Sequence, residues 1–206
     1  MKLLAIECAT ENCSVALFEQ DLLLGGTARV LGRGHAEALI PMIVALPGKG
    51  EADRIAVSLG PGSFTGLRVG LAAARALALA WRAQLVGYST HALIGAMVRE
   101  QTGSSAVGVA MTGGHGEWFV SQFGAEGQNL VPSQSRSPAE AAALLDAEVV
   151  AGSQAEALIA LRGLGRALPL LPDARMIGLL SADDFTASVQ LDYGRAPDAR
   201  LPGVPN

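Results

Sequence analysis

Residues 58–81 read Ser-Leu-Gly-Pro-Gly-Ser-Phe-Thr-Gly-Leu-Arg-Val-Gly-Leu-Ala-Ala-Ala-Arg-Ala-Leu-Ala-Leu-Ala-Trp, and their reading decides the fold. A strand over 55–59 runs into the turn Gly60-Pro61-Gly62, and Ser63 or Thr65 then caps a helix that reaches about Arg82. Small residues cover much of that helix, from Gly66 and Gly70 through Ala72, Ala74, Ala76, Ala78 and Ala80. Its charges, Arg68, Arg75 and Arg82, recur every seventh residue and so share one stripe. A helix so nearly apolar all round is expected to be buried on most sides. The glycine turn resembles a phosphate cradle at a helix N-terminus, although it lacks the lysine of a P-loop. The small residues continue well past the point where a ligand could need them, which favours a packing face against another helix, in this chain or between subunits.

Working outward, the run at 85–88 is a second strand, and strand, helix, strand at this spacing makes a parallel crossover unit. Upstream, the β-prone runs at 3–8 and 13–18 flank the polar turn Ala9-Thr10-Glu11-Asn12 and read as a hairpin, with 22–29 as a third strand. Leu39, Ile40, Met42, Ile43 and Leu46 repeat at helical spacing after His35. Pro41 lies inside that helix, where it is expected to kink it or mark its restart. Pro47-Gly48-Lys49-Gly50 ends it.

Downstream, Ser89 or Thr90 caps a helix to about Val98, and the polar stretch 101–105 reads as a boundary between lobes. The second half opens like the first: strands at 106–112 and 117–123 join through Gly113-Gly114-His115-Gly116. Ser137-Pro138-Ala139-Glu140 is a capping box for a helix to Leu145, 148–151 is a strand, and Ser153 caps a helix to about Arg162. One more helix is expected over 176–180 with 183–189. The expected organisation is an α/β protein with an N-terminal lobe at 1–100, a smaller lobe at 101–191 and a tail at 192–206. Each lobe begins with a hairpin or meander and continues with crossover helices.

Half of the 206 residues are apolar, only 4% are aromatic, and the net charge is -4. This balance argues against a domain that holds nucleic acid by itself, while leaving room for a subunit of a larger RNA-handling assembly. Cys8 and Cys13 form no zinc or disulfide pattern with other cysteines and read as buried thiols. The start Met1-Lys2-Leu3-Leu4 is too short for a signal peptide, and the apolar window 69–81 is short for a membrane span. A soluble, cytoplasmic chain is expected.

Glu7 beside the first turn could approach a phosphate or a metal, or it could be a solvated acid at a tight turn. Among the histidines, His115 in its glycine loop next to Glu117 is the one best placed for chemistry, although a plain hairpin loop would look the same. His35 and His91 have no partner at metal-ligand spacing, and Gly62-Ser63 lacks the spacing of a nucleophile elbow. No catalytic residue and no metal site is therefore assigned. The arginine stripe is either a solvated face or a set of contacts to acids on a partner.

The stretches LLAIECATENCSVALF (3–18), RGHAEALIPMI (33–43), IAVSLGPGSFTGLRVGLAAARALALA (55–80) and LVGYSTHALIGAM (85–97) together resemble the bacterial TsaB (YeaZ) family, with a weaker echo at 193–199. The resemblance implies an actin-like ATPase (ribonuclease H-like) fold. It also implies a non-catalytic accessory role: dimerising with the catalytic subunit TsaD in forming the threonylcarbamoyl group on adenosine 37 of tRNA. A TsaE-like ATPase belongs to the implied assembly, tRNA and ATP with magnesium are met only there, and the lone chain is expected to be a homodimer. No cofactor is assigned to this chain itself, and no membrane. The implied partner face is the helix pair, at His35, Leu39, Met42, Ile43, Phe64, Gly66, Leu67, Arg68, Gly70, Leu71, Ala74 and Arg75.

The sister TsaD carries a metal-binding histidine pair where this chain has Thr90 and Ile94. The family's first turn usually begins Asp-Thr-Ser-Thr, whereas this one reads Glu7-Cys8-Ala9-Thr10. Thr112-Gly113-Gly114-His115 resembles the TsaD phosphate loop, through drift or through retention. Nucleotide-phosphate contacts, if present, would fall at Glu7, Thr10, Gly113, Gly114 and His115. The alternative is a small ATPase or phosphotransferase of the same fold acting by itself.

Overall fold

The computed structural model describes residues 1–192. The 193–199 echo and nearly all of the expected tail lie outside the described residues. The first sheet begins with three strands, β1 (Lys2–Glu7), β2 (Asn12–Glu19) and β3 (Leu22–Val30), paired antiparallel as a meander. Helix α1 (His35–Val44), strand β4 (Arg54–Ser58), helix α2 (Phe64–Trp81) and strand β5 (Gln84–Tyr88) follow. β4 lies parallel to both β1 and β5, so the chain from 54 to 88 is the crossover unit that the sequence predicts.

Helix α3 (Thr90–Thr102) leads to the second sheet, where β6 (Ala106–Thr112), β7 (Trp118–Gly124) and β8 (Asn129–Arg136) form another antiparallel meander. Then come α4 (Pro138–Leu144), β9 (Val149–Ala151), α5 (Ala155–Arg162) and β10 (Arg166–Leu168). The two orders, β5-β4-β1-β2-β3 and β10-β9-β6-β7-β8, are the same arrangement twice. The duplicated architecture is therefore present. Strands β8 and β10 were not read from the sequence: β8 carries a proline and mostly polar residues, and β10 is only three residues long.

Packing divides the first sheet by side-chain size. Leu4, Ile6, Val15, Leu17, Ile55 and Val57 point to one face, where Leu39, Met42 and Ile43 of α1 and Leu71 and Ala74 of α2 cover them. On the other face Ala5, Ala16 and Ala56 leave room for Leu93 and Ala96 of α3. On another side of α3, Ile94 and Val98 pack instead with Val107, Val109 and Met111 of the second sheet. One helix thus serves two sheets, which explains why it is apolar on both sides; it runs past the expected end near Val98 to Thr102, where Gly103 caps it in the left-handed conformation.

Several expectations change. Pro41 neither splits nor restarts α1, which is one helix with Ala45 N–H donating to the Pro41 carbonyl. The helix expected over 176–189 is two short 3-10 turns, Ala174–Leu179 and Ala182–Asp184, ending in strand β11 (Phe185–Thr186). Strand β11 pairs antiparallel with β5, and Ala174, Ile177 and Leu180 fill the α3 side of the first sheet. The chain therefore crosses back to the first sheet, although a division at residue 100 assigns this segment to the second lobe. Ser153 does not cap α5, whose cap position is Gln154; the Ser153 hydroxyl accepts from the Thr112 N–H instead.

Helix α2 was expected to be buried on most sides, and it is buried on one. Gly66, Leu67, Gly70, Leu71 and Ala74 face the sheet, while Phe64, Arg68, Arg75 and Leu79 face outward. It has 18 residues, more than the apolar window read from the sequence, and is long and apolar enough to cross a membrane; its inner stripe packs on the first sheet instead. A Cβ at Gly66 would overlap the Cys8 carbonyl oxygen, and one at Gly70 would sit 3.3 Å from Cys8 Cβ. The small residues of the first half of α2 thus admit the chain's own hairpin rather than a partner helix.

Candidate functional site

The carboxyl-terminal ends of the central strands of both sheets meet at a cleft of about 640 Å³. Its walls are the first hairpin turn (Ala9, Thr10, Glu11), the strand-to-helix turn (Gly62, Ser63, Phe64) and the second hairpin (Met111, Thr112, Gly113, Gly114), with Phe119 and Ser153 behind. Ligands of open α/β sheets bind at this end of the strands. Backbone bonds hold the walls together: Ser63 N–H donates to the Ala9 carbonyl at 2.7 Å, and Gln154 N–H to the Ala110 carbonyl at 3.0 Å. In each lobe a glycine makes this approach possible, because a Cβ at Gly62 would overlap the Ala9 carbonyl and one at Gly152 the Ala110 carbonyl. Ser63 caps α2 by accepting from the Gly66 N–H, so the positive end of that helix opens on the cleft.

The predicted phosphate-contact residues divide. Thr10, Gly113 and Gly114 line the cleft. Glu7 does not: it is fully buried beneath the turn, where Ala9 N–H donates to it at 2.7 Å and the Tyr88 hydroxyl at 3.3 Å. Burial raises its pKa from 4.5 to about 7, against the lowering effect of those donors, so this carboxyl is turned away from any cleft ligand and half neutralised at neutral pH. His115 is exposed at the hairpin tip with φ of 59°, outside the cleft lining, and Glu117 beside it takes the Ser135 hydroxyl. What remains at the cleft is a set of backbone amides and hydroxyls with Glu11 as the ionisable side chain of its lining. Such a lining can hydrogen-bond an anion or a polyol.

Ser153, Thr112 and Phe64 belong to the site and were missed there. The Gln154 side-chain N–H donates to the Thr112 hydroxyl at 2.8 Å, which lies 3.2 Å from the Ser153 hydroxyl. The available signal was the repeat itself: Gly152-Ser153 follows β9 as Gly60 to Ser63 follow β4.

No group of three or more histidine, cysteine or acidic side chains capable of holding a metal occurs among the described residues. Thr90 and Ile94 are both fully buried. His91 is buried too, with Nδ1 at 2.8 Å from the Ser121 hydroxyl, and burial lowers its pKa to about 3. An imidazole held neutral in this way ties α3 to β7.

Of the twelve residues expected at a partner face, nine lie in this chain's own interior: His35, Leu39, Met42, Ile43, Gly66, Leu67, Gly70, Leu71 and Ala74. His35 donates through Nε2 to the Thr10 carbonyl at 2.8 Å, fixing the cleft turn to the start of α1. The other three remain outside. The Arg68 guanidinium lies over the Phe64 ring, 3.6 Å from its centroid, and Arg75 donates to the Val189 carbonyl at 3.0 Å. Arg68 and Arg75 of the arginine stripe thus have partners within the chain as well as exposure to solvent. The outward apolar groups on the pair are Ile40, Val44, Phe64 and Leu79.

Comparison with known proteins places this geometry. The family model for TsaD, tRNA N6-adenosine threonylcarbamoyltransferase, matches residues 27–187. The chain is 33% identical over 128 residues to the tRNA threonylcarbamoyladenosine biosynthesis protein TsaB of Escherichia coli, covering 60% of this chain and 55% of that protein. It is 36% identical over 137 residues to the tRNA N6-adenosine threonylcarbamoyltransferase of Solidesulfovibrio magneticus, covering 56% and 37% respectively. The matched stretches thus span about half, or less, of these relatives. Among solved structures, a Pseudomonas aeruginosa protein described as similar to the peptidase YEAZ superposes with a TM-score of 0.78 at 25% identity, covering 94% of this chain and 99% of that one. YeaZ from Pseudomonas aeruginosa gives 0.73 at 26% identity, covering 85% and 88%. The ethanolamine utilization protein EutJ of Carboxydothermus hydrogenoformans, at 0.51 and 12% identity with 88% and 90% covered, shares the fold alone. The two-lobed arrangement is the actin-like ATPase fold, and the chain belongs to the TsaD family, within which it sides with the TsaB (YeaZ) proteins.

Proposed function

We propose that this chain is a non-catalytic accessory subunit that dimerises with a TsaD-like catalytic subunit in forming the threonylcarbamoyl group on adenosine 37 of tRNA. The observation that carries the reading is the outer side of the α1–α2 pair. Ile40, Val44, Phe64 and Leu79 are 44%, 52%, 53% and 84% exposed there, on helices whose inner sides are fully committed to the core. Burying that side against a partner supplies the apolar core of an interface, with the exposed charges of Glu37 and Arg68 on the same helices. The inward turn of Glu7 supports the accessory role, since the acid of the first hairpin is out of reach of a cleft ligand. In this reading a TsaE-like ATPase joins the assembly in the cytoplasm, and the partner brings tRNA, ATP and magnesium into play. When alone, two copies pair through the same face.

The experiment is co-elution of this chain with its organism's TsaD-like subunit in size exclusion. The reading expects a stable complex that Leu79→Arg abolishes while Leu161→Arg, on the second lobe, leaves it intact. Two independent peaks for the unaltered proteins would sink it.

A second reading, a small ATPase or phosphotransferase acting by itself, draws on the cleft, which Gly62, Gly113 and Gly114 line at the N-terminal end of α2 and the second hairpin. Titration calorimetry with ATP and magnesium separates the two. Tight binding with turnover by the isolated chain would favour the enzyme.

A further inference from the structure

Cys8 follows β1 and Cys13 lies at the start of β2, one step beyond the Glu7 and Ser14 pair in the antiparallel register. Their sulfurs are 3.7 Å apart in a thiol hydrogen bond, and both residues are fully buried in the α1–α2 side of the core. A disulfide needs an S–S distance of about 2.05 Å, so closure asks for roughly the movement of one rotamer adjustment and adds no atoms to a packed interior. The loop it would close, Ala9 to Asn12, is the wall of the cleft that holds Ser63 through the Ala9 carbonyl and His35 through the Thr10 carbonyl. Cys8 is also the residue on which Gly66 and Gly70 of α2 rest.

We propose that Cys8 and Cys13 are a covalent modification site: a dithiol that a small peroxide closes to a disulfide, shifting the cleft turn and the first turn of α2 that leans on it. The step balances. The Cys13 sulfur attacks one peroxide oxygen, breaking the O–O bond to give a sulfenic acid and water. The Cys8 sulfur then attacks Cys13, forming the S–S bond and releasing the hydroxyl as a second water with the Cys8 proton. Each sulfur loses one electron of the two that reduce hydrogen peroxide. The order assigns Cys13 as the attacking sulfur: the hydrogen bond with Cys8 lowers the Cys13 pKa, against the raising effect of burial and Glu7, while the same bond and burial raise that of Cys8. Burial selects the oxidant by size. Glu11 at the turn is exposed to the cleft, so a water-sized peroxide enters through local opening there, whereas a bulky alkylating reagent does not.

The test treats the folded chain with hydrogen peroxide and follows it by intact mass, non-reducing peptide mapping and amide hydrogen exchange. The expected result is a loss of two hydrogens, a single peptide linking Cys8 to Cys13, and reversal by dithiothreitol. A change of several-fold in exchange at residues 64–67 is expected with it. Cys8→Ser should give instead a stable oxyacid on Cys13, and the reduced wild-type protein serves as its own folded control. Thiols that stay free in the folded chain and react only in denaturant would overturn the proposal. So would separate oxidation of each cysteine without a link, or a disulfide that leaves exchange in α2 unchanged.

Discussion

The two lobes share a plan and use it differently. In each, a parallel strand ends beside a hairpin, and a glycine lets the following turn press on a hairpin carbonyl: Gly62 on Ala9 in the first lobe, Gly152 on Ala110 in the second. In the first lobe the helix after that turn is the 18-residue α2, with an exposed apolar outer side. In the second it is the 8-residue α5, stopped by Gly163 in the left-handed conformation. The hairpins differ too. The first buries its acid, Glu7, under the turn, and the second ends in the exposed hydroxyl of Thr112 at the cleft. The repeat is a scaffold whose cleft geometry is kept in both copies, while the outward helices are where the lobes have room to diverge.

The strongest way to break the comparison is to add a methyl group at the shared close approaches. Gly62→Ala and Gly152→Ala each place a Cβ against a backbone carbonyl that cannot step aside, and Gly152 also holds a φ of 104°. Each is expected to cost roughly 3 kcal/mol or more in chemical denaturation. A loss under 1 kcal/mol at Gly152 would show that the second copy of the turn is slack.

Next in size is the buried acid. The folded pKa of Glu7 lies above its unfolded value, so the protonated form is favoured by folding. Its stabilising contribution is full below pH 4.5 and is lost as pH rises to about 7. Glu7→Gln should therefore gain on the wild type by about 3 kcal/mol between those limits, measured as the difference in unfolding free energy at each pH. His91 runs the other way. Its folded pKa is lowered from 6.5 to about 3, so its contribution is lost as pH falls through that window. The two trends oppose each other in the wild type, which is why the difference against the variant is the quantity to measure.

The outward helix gives the third. Leu79→Arg, at a side chain 84% exposed, should change stability by less than about 0.5 kcal/mol and weaken partner docking by more than about tenfold. Leu161→Arg on α5, 58% exposed, should do neither. Equal effects of the two on co-elution would remove the distinction between the lobes. The smallest effect is expected at Arg75→Ala, which deletes one exposed bond to the Val189 carbonyl and should cost about 0.5 to 1 kcal/mol in thermal unfolding.

Much of this was local and therefore readable in the sequence. The hairpins, the crossover unit, the capped start of α2 at Ser63 and the capping box at Ser137 rest on side-chain alternation, helical spacing and hydrogen bonds within a few residues. Spacing also named the helix pair, and the repeated hairpin logic named the two-sheet plan. Tertiary structure decided which side of each helix is which. Ala and Gly are small enough to face a sheet or water, so composition alone could not tell that the Gly66, Gly70 and Ala74 stripe meets the chain's own hairpin while Leu79 stays outside. It decided the direction of Glu7, because burial of a carboxyl depends on Tyr88, some eighty residues away in the chain. It also brought Ser153 to Thr112 and residues 174–186 back to β5, long-range pairings for which the local pattern offers no rule.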